Sequence, residues 1–464
     1  MTTHARERRQ THQVRFADTT AAEVYAWHAR PGAVDRLTPA VLGSVAAGPS
    51  DGLAVGSRTR LRVGPGPGLP WTAVHTSNTT DPYGFVDEQQ SGPFASWRHE
   101  HTFADVDGGA TVRDEVTWSL PVPTPRGVDD RVAAMIEQMF GYRSRQLEGD
   151  LGFHTRMALA GVTPRTIAVT GSSGLVGRQL CALLSSGGHT VRRLVRHEPT
   201  GDGIAWDPSG GRLDHDQLRD VDVVVHLAGE PIGQRFTAAH KDEVLRSRTG
   251  PTRLLAEALA SLASDGRQRA LVSASAMGWY GTGAGDTVLT EDLPAGQGFL
   301  AEVCRQWEAA ADPARAAGVR TVHVRTGIVQ SAAGGQLALQ LPLFRAGLGG
   351  PLGNGRQWMS WISLDDLVEL YALAALTPGL AGPVNAAAPE PVRGDDYAAI
   401  LARVLRRPHA LRVPSFGPAL LLGQEGAEEL ALVSQRLSSD RAISWGQRFR
   451  HPTLEVALRH ELCR

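Results

Sequence analysis

Residues 170–177, "TGSSGLVG", place Gly171, Gly174 and Gly177 three residues apart, between an apolar run and a helix-like one. In such a frame the first glycine permits a tight turn and the second lets a pyrophosphate approach the backbone. The third lets the helix pack on the strand. Ser172, Ser173, Leu175 and Val176 complete a loop whose free N–H groups and helix N-terminus suit a phosphate. The chemistry expected is dinucleotide binding, and the end of the next strand chooses the dinucleotide. "RRLVRH" ends near Arg196, a guanidinium able to grip a 2′-phosphate, where NAD binding usually has an acid on the ribose. NADP is therefore expected, with NAD left open by Glu198 two residues on. In "HLAG", Ala228 and Gly229 beside Leu227 leave room for the cofactor along the sheet edge, and Ser273 in "SAS" completes the binding set.

A strand must precede that loop and a helix follow it. "RTIAVTGSSGLVGRQLCALLSSGGHTVRRLVRH" reads as one βαβ unit. The alternation continues through "VDVVVHLAG", a helix over 238–263, "RALVSAS", a helix over 299–317 and "VRTVHVRTGIV". This predicts a doubly wound parallel sheet covered on both faces, over 165–392, with a small helical C-terminal domain over 393–464.

Residues 1–157 read differently. "GSRTRLRV", "PWTAVHTSNTT", "YGFVDEQQSG", "ASWRHEHTFADV" and "ATVRDEVTWSL" alternate partially with a period of two. Val132, Met135, Ile136, Met139 and Phe140 then recur at helical spacing. An antiparallel sheet closed over a long helix is expected, enclosing an apolar cavity that Trp71, Trp97 and Trp118 can line or simply fill. His99 and His101 share a strand face, but two histidines without a third ligand do not make a metal site, and no metal is expected. Residues 158–164 form a linker.

With 464 residues, two or three domains are expected. A net charge of -1 gives no basic field for nucleic acid. No apolar run approaches the ~20 residues of a membrane span, and "MTTHARERRQTHQ" has no apolar signal core, so a cytoplasmic location is expected. Three scattered cysteines make no disulfide framework. The sequence holds a single lysine, Lys241, so a lysine-dependent mechanism has one place to put it.

"HLAGEPI", "SRTGPTRLL", "SASAMGWYG", "LTEDLPAGQGFLAEVCRQWEAAA" and "GRQWMSWISLDDL", in this order, resemble the extended short-chain dehydrogenase/reductases, in particular an atypical epimerase-like branch of unassigned substrate with its own C-terminal domain. The N-terminal pattern resembles the START-like, polyketide-cyclase-like (SRPBCC) helix-grip domains, whose members bind hydrophobic ligands. The first resemblance implies a Rossmann-type fold and a Ser, Tyr and Lys at the reacting carbonyl. Matching the helix on Glu308 puts Leu300 at the tyrosine and Cys304 at the lysine, and counting back from "YG" puts Ala276 at the serine. No tyrosine of the chain stands four residues before Lys241. Ser275, Tyr280 and Glu302 remain as proton-handling candidates, and Arg325, Arg356 and Trp358 as substrate contacts. Asp365 can cap the helix "DDLVELYALAAL". The function implied is an NADP-binding oxidoreductase or epimerase-like enzyme acting on an apolar or sugar-nucleotide-like small molecule. The alternative is a non-catalytic sensor binding NADP and a lipid-like ligand.

Overall fold

The computed structural model describes residues 6–64, 67–122, 126–409 and 411–464. Contacts within the chain divide it into two units. One holds the residues up to Gly161 with Ala182–Gly188 and His460–Arg464, and the other holds Val162–Cys181 and His189–Arg459.

The N-terminal order is β1 (Arg8–Ala17), α1 (Ala21–Ala29), α2 (Ala33–Arg36), β2 (Gly43–Ala47), β3 (Arg58–Val63), β4 (Leu69–Thr80), β5 (Tyr83–Ser91), β6 (Ser96–Val106), β7 (Gly109–Ser119) and α3 (Arg126–Leu159). The strands form one antiparallel sheet, β1-β7-β6-β5-β4-β3-β2. Five strands and the long helix lie where alternation and helical spacing put them. The reading passed over β1, β2, α1 and α2. Along β1, "RRQTHQVRFA", burial alternates strictly, but the inward positions include Arg8, Gln10 and His12, so no apolar period marks the strand. The start of α1 is marked by a capping box, Thr20 with Glu23.

In β6 the inward residues Trp97, His99, His101 and Phe103 alternate with more exposed ones. Trp97 and Trp118 pack with Val116, Ile136 and Phe140, and Trp71 meets Trp97 edge-on at 4.9 Å. These tryptophans therefore fill core. Met135, expected on the buried face of α3, is 43% exposed. Arg36 and Asp150 form a buried bidentate pair at 2.8 and 2.7 Å, and Gln146 donates to the same carboxylate. That leaves no bare charge inside. The space lined by Val14, Phe16, His28, Leu37, His101, Asp114 and Arg143 measures about 20 Å³. It is small, and Asp114 and Arg143 bring charge to a largely apolar lining.

The chain continues as β8 (Thr166–Thr170), α4 (Leu175–Ser186), β9 (Thr190–Val195), β10 (Ile204–Asp207), β11 (Arg212–Leu213), β12 (Val223–His226), α5 (Ala238–Ser261), β13 (Ala270–Ala276), β14 (Val288–Leu289), α6 (Phe299–Ala309), α7 (Asp312–Ala316) and β15 (Arg320–Thr326). Then come β16 (Ile328–Gln330), α8 (Gly335–Arg345), β17 (Trp358–Met359), β18 (Trp361–Ser363), α9 (Leu364–Leu376), β19 (Gly382–Ala386), β20 (Val392–Arg393), α10 (Gly394–Leu405), α11 (Phe416–Gly426), β21 (Arg436–Leu437), α12 (Asp440–Ser444) and α13 (Leu454–Glu461).

The large sheet runs β11-β10-β9-β8-β12-β13-β15-β19, parallel except at β11. Every residue of β12 is buried, as a strand covered on both faces requires. The single helix expected over 299–317 is two helices, because Pro313 at the start of α7 cannot donate to the preceding turn. Ser363, not Asp365, caps α9, accepting from the Asp366 N–H. No helix among the described residues is long and apolar enough to cross a membrane.

Candidate active site

The order of the sheet reverses between β8 and β12, and a crevice at such a point is where open α/β sheets take ligands. Gly171 follows β8 with φ +63°, and a Cβ there would sit 2.9 Å from the Ala228 nitrogen. Gly174 donates to the Gly171 carbonyl at 3.0 Å, closing the turn. A Cβ at Gly177 would come within 2.2 Å of the Gly171 oxygen, so α4 packs on the turn only through a glycine. Ser173 and Gly174 are exposed and Ser172 is buried; Leu175 and Val176 open α4 half-buried. The Leu227 and Ala228 N–H groups both donate to Thr170 Oγ1, joining the ends of β8 and β12. Gly229 is exposed beside them, while Ser273 lies wholly buried in β13. The cradle has the shape and free backbone that a pyrophosphate needs.

Arg196 follows β9, is exposed, and makes no hydrogen bond or ion pair among the described residues. Arg192 is engaged, donating to Asp202, Gln217 and Asp220. The only unengaged guanidinium of these two is thus the one at the strand end.

Ala276, Leu300 and Cys304 do come together. The Cys304 thiol lies 3.7 Å from the Ala276 carbonyl. A Cβ at Gly278 would meet Leu300 at 3.1 Å and Cys304 Sγ at 3.5 Å. Burial pushes the Cys304 thiol up to about 12, so it stays protonated and acts as a small hydrophobe. Where the family's acid and its lysine would stand, the chain has an apolar patch.

Ser275, Tyr280 and Arg325 also meet, in a closed buried network. Ser275 Oγ donates to Glu308 Oε1 at 2.7 Å. Arg325 holds both oxygens of Glu308, at 2.9 and 3.0 Å, and its Nη1 reaches the Tyr280 hydroxyl at 3.3 Å. That hydroxyl donates to Asn385 at 2.6 Å, and Asn385 in turn donates to the Leu289 and Ser438 carbonyls. The Trp279 ring lies 3.8 Å from the Arg325 guanidinium carbon. Burial raises the pKa of Tyr280, although Arg325 opposes the shift, so the hydroxyl is a weaker acid than free tyrosine. Arg325 is 2% exposed and its donors are taken, which ill suits a substrate contact. Glu302 does not join them: it lies on the exposed side of α6, held by Arg305 and Gln306.

Arg356 is exposed, and its carbonyl accepts from Arg393. Trp358 is half-buried, with Arg393 3.8 Å and Arg436 4.7 Å from its ring, and its indole donates to Asp286. Trp361 is core.

Glu429 and Arg248 belong to no motif that signals a role here, and Lys241 takes a place its position in the sequence did not announce. Glu429 accepts from the Phe299 and Leu300 N–H groups at 2.8 and 2.7 Å, covering the N-terminus of the helix that carries Leu300. Lys241 pairs with Glu425 at 2.6 Å and sits 4.6 Å over the Phe299 ring. Arg248, on α5, is 7% exposed, donates to the Glu230 and Val244 carbonyls, and leaves its Nε unpaired. A Cβ at Gly229 would lie 3.4 Å from its guanidinium carbon, so this cation stands at the edge of the cofactor crevice. The one available signal was an arginine on the buried stripe of a helix.

A doubly wound sheet with this cradle defines a dinucleotide-binding protein. The chain belongs to the NAD dependent epimerase/dehydratase family, whose profile matches residues 167–386, and it carries the domain of unknown function DUF1731 over 413–461. An epimerase family protein of Mycobacterium bovis is 42% identical over 294 residues, 63% of this chain and 96% of that protein. The crystal structure of the nucleoside-diphosphate sugar epimerase from Corynebacterium glutamicum is similar with a TM-score of 0.81 at 37% identity, over 98% of this chain and 90% of that one. Human epimerase family protein SDR39U1 (isoform 2), solved with NADPH, has a TM-score of 0.56 at 29% identity, over 64% of this chain and 99% of its own.

Proposed function

We propose that the protein is an NADP-binding oxidoreductase or epimerase-like enzyme that works without the Tyr-Lys pair. The observation that carries this reading is the intact glycine cradle, followed by Arg196 with no partner of its own at the strand end. The human relative was solved with NADPH, which supports the same cofactor here. Gly171, Ser172, Ser173, Gly174, Leu175, Val176 and Gly177 would hold the pyrophosphate, with Arg196 at the 2′-phosphate and Leu227, Ala228, Gly229 and Ser273 along the crevice. NAD remains the second choice.

When bound, the cofactor supplies hydride transfer. The protein's part is to position substrate, exclude water and stabilise charge on the reacting oxygen. Tyr280 and Ser275 fit a positioning role better than a proton-handling one, since their hydroxyls serve Asn385 and Glu308. Arg248 beside Gly229 is the better candidate for the positive charge a lysine would bring. A sugar-nucleotide-like substrate is supported by the description of the Corynebacterium glutamicum relative as a nucleoside-diphosphate sugar epimerase. Arg393, paired with Asp286, and Arg436 lie on the Trp358 ring, and with the exposed Arg356 nearby in sequence they are the candidate contacts for a diphosphate.

The sensor reading draws on the apolar contact of Ala276, Leu300 and Cys304. An apolar ligand in the N-terminal unit is supported by its sheet-and-helix arrangement, and would require the 20 Å³ space to widen.

The test is mass spectrometry of small molecules released from freshly denatured protein, followed by NADPH oxidation assays with nucleotide-sugar substrates. NADP(H) is expected. NAD(H) alone would overturn the Arg196 assignment, and tight NADPH binding with no turnover on any substrate would favour the sensor.

A further inference from the structure

The inward face of the N-terminal sheet gathers five chemistry-bearing side chains from four strands. The register sets His75 on β4 opposite Asp87 on β5, Asp87 opposite His99 on β6, and His101 opposite Asp114 on β7. His99 Nδ1 lies 3.3 Å and His101 Nε2 3.5 Å from the same oxygen, Asp87 Oδ2. Both separations exceed the usual N–H···O range of 2.7–3.2 Å. They match the spacing of adjacent ligands, about 3.3–3.6 Å, around a four-coordinate ion with bonds of about 2.0–2.2 Å.

The other ring nitrogens face a second carboxylate. His99 Nε2 is 3.1 Å and His101 Nδ1 2.7 Å from Asp114 Oδ1. His99 Nε2 hydrogen-bonds Asp114, and His101 Nδ1 lies close to the same oxygen without a formed bond; with each proton on that side, both lone pairs turn toward Asp87 Oδ2. Three acceptor atoms then converge on one point. A carboxylate behind metal-binding histidines is the usual way ring orientation and tautomer are fixed.

We propose that Asp87, His99 and His101 bind one divalent transition-metal ion, zinc in the first instance, with Asp114 as the positioning residue behind both histidines.

The surrounding charges permit it. Asp87 and Asp114 contribute two negative charges, and Arg143 on α3, lining the adjoining space, contributes one positive. His28 on α1 stays neutral, its pKa lowered to about 3 by burial and by His101. His75 is buried with Nδ1 unpaired among the described residues. With neutral imidazoles the cluster is net negative, so a cation is attracted. A set of two nitrogens and one oxygen suits zinc, and a fourth position is left for water or a ligand.

The test uses the full-length, tag-free protein, stripped of metal and titrated with Zn²⁺ and Co²⁺. One equivalent should bind, and bound cobalt should give the intense visible absorption of a four-coordinate site. Asp87→Asn should abolish that binding. Asp114→Asn should weaken it about 10–100-fold while keeping the cobalt spectrum. His101→Cys should add a thiolate-to-cobalt charge-transfer band, a signature that a merely structural ion-pair cluster cannot produce. A wild-type protein that takes up neither ion overturns the proposal. So does wild-type affinity in folded Asp87→Asn, or bound cobalt whose spectrum ignores His101→Cys.

Discussion

Replacing Glu308 by glutamine isolates what the buried network does. Glu308 is 8% and Arg325 2% exposed, and their contacts of 2.9 and 3.0 Å are bidentate. Removing one charge leaves a guanidinium uncompensated inside the protein, which costs about 3–5 kcal/mol. The amide oxygen of Gln still accepts one bond, so the lower end, about 3 kcal/mol, is expected. At roughly 2–4 °C per kcal/mol this is a fall of about 6–12 °C in melting temperature. Trp279, stacked on Arg325 at 3.8 Å, provides a local fluorescence reporter for thermal and urea unfolding. The double variant Glu308→Leu/Arg325→Met should regain part of the loss, because the two charges are removed together, while the Ser275 hydroxyl and the Glu291 carbonyl each lose a partner. NADPH affinity should be little changed in both variants, since none of the network's side chains bonds to the glycine turn that follows β8. A loss below about 1 kcal/mol in Glu308→Gln, or a double variant no more stable than the single one, would refute the closed network. Tyr280 and Arg325 would then be free for chemistry.

Gly177→Ala should lower NADPH affinity at least ~10-fold in a fluorescence titration, because its Cβ would lie 2.2 Å from the Gly171 oxygen and must displace the cradle. Arg196→Glu should cost NADP binding about 1.5–3 kcal/mol, about 10–100-fold, and leave NAD binding little changed; equal losses for both cofactors would remove Arg196 from the 2′-phosphate. All three cysteines are buried, and with Cys304 held at about 12 a disulfide reagent at neutral pH should label none of them until urea unfolds the chain. Burial holds His226 at about 3, with Arg248 adding to the shift, so the folded state excludes a proton that the unfolded state binds below about 6.5. That stability is fully present above pH 6.5 and is lost as pH falls toward 3, by about 1.4 kcal/mol per pH unit for this one group. Urea midpoints measured from pH 7 to 5 should fall less steeply in His226→Asn; equal slopes would show that His226 is not the buried base.

Local pattern was enough where neighbouring residues carry the constraint. Gly171 and Gly177 need no side chain because the turn itself leaves no space, and that need appears in eight consecutive letters. The buried run of β12 and the alternation of β6 likewise announced a parallel and an antiparallel sheet. The absence of the Tyr-Lys pair could be read by counting alone, and the contact of Ala276, Leu300 and Cys304 agrees with it.

What local pattern does not carry is partnership across strands and helices. Ser275, Tyr280 and Arg325 meet in the fold, but their bonds depend on Glu308, a buried helix acid, and on Asn385 from the neighbouring strand β19, sixty residues on. Glu302 points outward because α6 buries the stripe of Leu300, Cys304 and Glu308 instead. His99 and His101 looked like a pair without a third ligand, since Asp87 and Asp114 reach them only through the register of β5 and β7. The sequence by itself determined the two kinds of sheet, the phosphate cradle and the missing acid, because each rests on spacing along the chain. Only the tertiary structure decided which charges are spent on one another and which converge on an open point, because that depends on strands and helices meeting far from their place in the sequence.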